Sequence, residues 1–177
     1  MKRAIQLLTS LMLALLPLSI AVAAEMEHEH AATAPSALDP LKQLAGDWVG
    51  KAGQGDQMMD AFVSYRVTAG GSAVMETLFP GSPHEMVTMY TVEKGAVVLT
   101  HYCAMGNQPR MRAKQGTPAN ELSFDFVSCP GVNPARDQHM HNASFKFVDA
   151  DHIHGEWAAW NHGKVSDVIR FDMERKK

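Results

Sequence analysis

Glu85-Met86-Val87-Thr88-Met89-Tyr90-Thr91-Val92-Glu93-Lys94-Gly95-Ala96-Val97-Val98-Leu99-Thr100-His101-Tyr102-Cys103-Ala104-Met105 is two runs rich in β-branched and aromatic residues, split by a Glu93-Lys94-Gly95 turn. Such runs favour strands, and glycine at the end of a short connection makes the pair a hairpin. In an extended strand residues i and i+2 share a face, so Val97, Leu99, His101, Cys103 and Met105 lie together. The apolar members turn that face inward and carry His101 and Cys103 with them.

The same period of two recurs on both sides. Ten strands are predicted, over residues 47–52, 61–69, 72–79, 85–93, 96–105, 109–115, 121–128, 139–149, 152–160 and 164–173. The connections carry turn chemistry, as in Ala69-Gly70-Gly71, Asp149-Ala150-Asp151 and Asn161-His162-Gly163-Lys164. Ten antiparallel strands in one small domain hide their edges most simply by closing, so the expected fold is an all-β, up-and-down ten-stranded barrel. A short helix should precede it, with Asp39 as cap, Pro40 in the first turn and Gly46 past its end.

The N-terminus reads as an export signal: Lys2 and Arg3, an apolar stretch from Leu7 to Ile20, and the small residues Ala21-Val22-Ala23-Ala24. The expected organisation is therefore a signal peptide over 1–24, a flexible leader over 25–37 containing His28 and His30, and a barrel domain over 38–177. This predicts a periplasmic or secreted protein with no integral membrane span. Removing Lys2 and Arg3 from the 16 basic residues leaves 14 against 19 acidic ones, a formal charge of −5 with His neutral. That balance argues against nucleic acid as a partner and leaves a small molecule as the expected one.

The segment Leu44-Ala45-Gly46-Asp47-Trp48-Val49-Gly50 resembles the Gly-x-Trp opening of the calycin barrels, the lipocalins and the nitrobindin-like haem-binding proteins among them. The resemblance implies a calycin-like barrel with Trp48 packed across a closed base and a ligand at the open end. Residues 85–90, 100–103 and 107–111 look like an uncharacterised exported branch of such barrels, to which no activity attaches.

Antiparallel order then places Glu85, Met86, His101, Cys103, Asn107, Gln108, Arg110, Met111, His139 and His141 on one rim, and these are the candidate ligand-binding residues. Simple alternation puts His139 and His141 inward with Ala143, Phe145 and Phe147, and Met140 outward. His101, His139 and His141 are a candidate metal set, if their nitrogens reach about 2.0–2.1 Å from one ion. Strands three apart are roughly 16 Å apart, which two imidazoles just span. A haem or a transition metal is the cofactor class these residues admit. The plainer alternative is a set of hydrogen-bonded rim histidines. Two other functions compete: an enzyme using His101 or a Cys103–His pair as base and nucleophile, and an envelope interaction module. Cys103 and Cys129 end strands two apart, about 9–10 Å, so a disulfide between them requires a bent Cys129-Pro130-Gly131 turn and stays open.

Overall fold

In this computed structural model residues 36–177 are described. The expected signal segment 1–24 and the expected leader with His28 and His30 lie outside the described residues. The elements are α1 Asp39–Lys42, β1 Gly46–Gln54, β2 Gln57–Thr68, β3 Ala73–Leu78, β4 Met86–Glu93, β5 Ala96–Tyr102, β6 Arg110–Ala113, β7 Glu121–Ser128, β8 His139–Phe147, β9 His152–Asn161 and β10 Lys164–Arg175. Each strand pairs antiparallel with its chain neighbours, and β1 pairs with β10 to close a ten-stranded barrel. The expected architecture is thus observed. Its one broad departure is at residues 52–60, expected as a loop. These residues extend β1 and β2 into a hairpin that turns at Gly55, whose φ of 58° suits glycine.

Closure depends on the β1–β10 seam. A Cβ at Gly50 would lie 2.0 Å from the Asp172 carbonyl oxygen, so the two backbones approach where no other residue fits. Below the seam the base is sealed. Leu38, Leu41 and Leu44 bury their side chains in the core, and the Trp48 indole N–H donates to Leu44 O at 2.8 Å. The Arg175 guanidinium lies 4.5 Å from the Trp48 ring centroid. It donates to Ala45 O and Gln43 O at 2.9 Å each and to Ala150 O at 3.0 Å. One side chain therefore ties the last strand to the carbonyls that follow α1. The helix itself differs in detail from expectation: Leu38 occupies the cap position without a side-chain bond, and Asp39 is the first helical residue. Asp39 instead accepts the Ser36 N–H at 2.7 Å and pairs with Lys42 at 3.1 Å.

Three register shifts lie near the upper end: one between Arg110 and Met111 in the β6–β7 pair, and two on β9 that set what faces inward. The β8–β9 register slips between Met140 and Asn142, leaving His141 as the extra residue, and the β9–β10 register slips between Val165 and Asp167. The upper end also carries the longer connections, 79–85, 103–109 and 129–138.

Arg175→Met should lower stability by about 2–4 kcal/mol, since it removes a cation–π contact and several charged-donor hydrogen bonds. Arg175→Lys should cost less, because it keeps the charge and loses the fork. Urea unfolding of the three proteins, read as midpoint shifts at constant slope, checks this.

Candidate functional site

The barrel interior is unevenly filled. Around Val63, Tyr65, Glu76, Phe145 and Met173 in the lower half only about 10 Å³ of space remains. Above it lies a cavity of about 220 Å³, bounded by Leu78, Phe79, Met86, His101, Met140, Trp157, Ile169 and Phe171. Carbon and sulfur make up nearly all of its wall. Phe79 is held there with a backbone φ of 52°, a left-handed conformation that costs a bulky residue on the order of 1 kcal/mol. Its ring packs on Phe171 at 5.9 Å between centroids.

A polar row runs up to this cavity across four strands. Tyr65 of β2 is directly opposite Glu76 of β3, Glu76 opposite Thr88 of β4, and Thr88 opposite His101 of β5. All point inward, and Glu76, Thr88 and His101 are at most 1 % exposed. The Tyr65 hydroxyl donates to Glu76 Oε1 at 2.7 Å and the Tyr90 hydroxyl to Oε2 at 2.8 Å. Thr88, directly opposite Glu76, lies 2.9 Å from His101 Nδ1. Burial pushes the Glu76 carboxyl above its ordinary range, while the bonds from Tyr65, Tyr90 and Thr88 pull it back. Burial, and then the Glu76 charge, drives both tyrosine hydroxyls well above their usual range, so they stay donors. His101 stacks on Trp157 at 4.5 Å, and burial pulls its imidazole down to about 4, leaving it neutral at pH 7.

The residues singled out from the sequence divide. Met86 and His101 border the cavity. Met111 is wholly buried in the core, and Arg110 faces out to pair with Glu93. The Glu85 carboxylate accepts the Gly81 N–H and so braces the 79–85 loop. Asn107 Nδ2 donates to Gln138 O at 2.9 Å and Gln108 Nε2 to Gly106 O at 3.2 Å, so both amides hold rim loops. Cys103 and Cys129 are buried free thiols, and burial pushes the Cys103 thiol up, opposite to an activated nucleophile.

The histidine pair departs most from the alternation argument. Because His141 is the extra residue of a bulge, Met140 pairs with the inward Ala159 and borders the cavity, while His139 pairs with Trp160. His141 lies instead between Trp160 and Phe126, stacked at 3.9 and 4.8 Å. The His139 Nδ1–H donates to Asp137 O at 2.8 Å, so its Nε2 accepts the His141 Nδ1–H at 2.9 Å. The pair is thus occupied with itself. Among the described residues no three His, Cys, Asp or Glu side chains are grouped as a metal would require, and the His101, His139 and His141 set is not assembled.

A larger open groove of about 450 Å³ runs over the outer face of β7 to β10. Its charges, Arg170 with Glu156 and His154 with Asp172, are paired with each other. The apolar cavity inside the barrel is the better candidate site.

No family model matches the chain, and no curated protein matches it. Solved structures do resemble it. Rv2717c from M. tuberculosis superposes with a TM-score of 0.56 at 15 % identity, over 82 % of this chain and 100 % of that one. A protein of unknown function of the DUF3598 family from Nostoc punctiforme gives 0.54 at 15 % identity, over 83 % of this chain and 54 % of that one. The chain spans about half the length of the second. At this identity the likeness shows the fold alone, which fits a calycin-like barrel. Among the described residues no helix is long and apolar enough to cross a membrane.

The buried row makes stability depend on pH in two opposed ways. For His101 the folded value lies below the ordinary 6.5, so its contribution is complete above pH 6.5 and lost as pH falls toward 4. Over that interval the wild type should lose roughly 2–3 kcal/mol more than His101→Gln, at about 1.4 kcal/mol per pH unit. For Glu76 the folded value lies above the ordinary 4.5, so its contribution is complete below pH 4.5 and lost as pH rises. Glu76→Gln should therefore gain on the wild type as pH rises from 4.5. Urea titrations between pH 4 and 8 measure both slopes.

Proposed function

We propose that this protein is an exported barrel that binds a small, largely apolar ligand in the cavity beneath Phe79, with His101 as its polar anchor. The observation that supports this most is the contrast between a filled lower half and a 220 Å³ space in the upper half of one core. Closely packed interiors rarely leave such a volume. It exceeds the roughly 150 Å³ engineered apolar cavity known to take benzene, and it falls below the roughly 300–1,000 Å³ of drug-sized pockets. A ligand of one ring, or two small fused rings, suits it. A haem does not fit this volume. The resemblance of Gly46-Asp47-Trp48 to the opening of lipocalin and nitrobindin-like barrels adds, by analogy, a ligand held inside the barrel near its open end. Export belongs to the same proposal, and the N-terminal residue of the mature protein tests it.

Toluene, benzene and indole are the probes. At about ten times its dissociation constant a bound probe adds roughly 1.4 kcal/mol, a rise of about 4 °C in melting temperature. Met140→Trp, which fills the cavity, should abolish that rise. His141→Ala should leave it unchanged, because His141 stands in the Phe126–Trp160 stack. Binding retained in Met140→Trp, or a stoichiometric haem spectrum lost in His101→Gln, would overturn the reading.

A further inference from the structure

Three buried side-chain polar atoms among the described residues have no hydrogen-bond partner: His101 Nε2, Asn107 Oδ1 and Trp160 Nε1. Of these three residues only His101 borders the cavity. A buried polar atom left unpaired costs about 1–3 kcal/mol, so a core that keeps one at the edge of a cavity is built to pair it with something else.

The polar row fixes what that something must offer. Among the described residues Glu76 has no lysine or arginine partner, and the groups beside its carboxyl are the hydroxyls of Tyr65, Tyr90 and Thr88. The Tyr65 and Tyr90 hydroxyls donate to the carboxyl, and Thr88, directly opposite on β4, has its hydroxyl proton drawn toward the same oxygens. The single Thr88 proton is then committed. The contact between Thr88 Oγ1 and His101 Nδ1 at 2.9 Å must take its proton from the imidazole. A neutral imidazole carrying its proton on Nδ1 has a bare lone pair on Nε2. Glu76, two strands away, thereby makes the cavity's polar anchor an acceptor.

We infer that the ligand class is a small aromatic compound with one hydrogen-bond donor, a phenol-like O–H or an azole N–H, that donates to His101 Nε2 while its ring lies among Phe79, Met86, Met140, Trp157 and Phe171. Ring faces and thioethers both favour an aromatic occupant over an aliphatic one. The inference rests on the cavity-binding reading above and adds the donor.

Phenol and toluene differ by the donor at nearly equal size, and calorimetric titration of each at pH 7 tests the inference. In the wild type both should bind. In His101→Leu toluene should bind within a few fold of wild type while phenol weakens at least tenfold. Thr88→Val keeps the imidazole and the side-chain shape but removes the Nδ1 acceptor, so it too should weaken phenol selectively, and it serves if the leucine variant fails to fold. Toluene binding with no phenol binding, or a phenol-to-toluene ratio unchanged in both variants, would overturn the donor and leave the cavity reading standing. Failure of both probes to bind the folded wild type would overturn the cavity reading itself.

Discussion

A carboxyl group 1 % exposed inside a closed barrel is the constraint around which the interior is arranged. Leaving Glu76 alone in an apolar core would cost several kcal/mol, and among the described residues no basic side chain answers it. The fold answers with hydroxyls. Tyr65 comes from β2, Tyr90 and Thr88 from β4, and each must arrive in register, since a slip of one residue would turn any of them to the solvent face. The row therefore specifies the pairing of β2, β3 and β4 as well as satisfying a charge. Its last member, His101, carries the same order into β5 and to the cavity wall.

Much of this architecture was legible in the sequence. Alternation in 85–105 identified β4 and β5 and sent Val97, Leu99 and His101 inward, where they are. The turns at Glu93-Lys94-Gly95 and Asn161-His162-Gly163 separate the strands they were read to separate, and Trp48 packs across the base with Leu44 and Arg175. What failed was any step needing cross-strand information. Period two assigned His139 and His141 inward and Met140 outward; His139 is buried, but the bulge at His141 brings Met140 to the cavity wall, and nothing in His139-Met140-His141 announces a bulge. The alternation Val74, Glu76, Leu78 points Glu76 inward, yet an isolated inward glutamate looks unfavourable until Tyr65 and Thr88 are seen opposite it.

The rim residues show how loop contacts account for much of what the sequence gathers at one mouth. Glu85, Asn107 and Gln108 are polar because the loops they brace need side-chain partners for backbone groups. Arg110 is on the outside because its strand parity puts it there, beside Glu93. Loop stabilisation and ligand recognition draw on the same residue types, and only contacts separate them. The His139–His141 pair, each nitrogen but one engaged within the cluster, is likewise a packed hydrogen-bonded unit. His101 differs because one side of its ring is held by Thr88 and its Nε2 by nothing.

Ligand recognition at the cavity turns on the proton of that imidazole. Nitrogen-15 NMR of the His101 side chain in the ligand-free protein at pH 7 reads it directly, because protonated and bare ring nitrogens resonate in separate ranges. The buried row predicts a neutral ring with a pyrrole-like Nδ1 and a pyridine-like Nε2. A ring carrying its proton on Nε2, or on both nitrogens, would contradict the relay from Glu76 through Thr88 and with it the acceptor at the cavity.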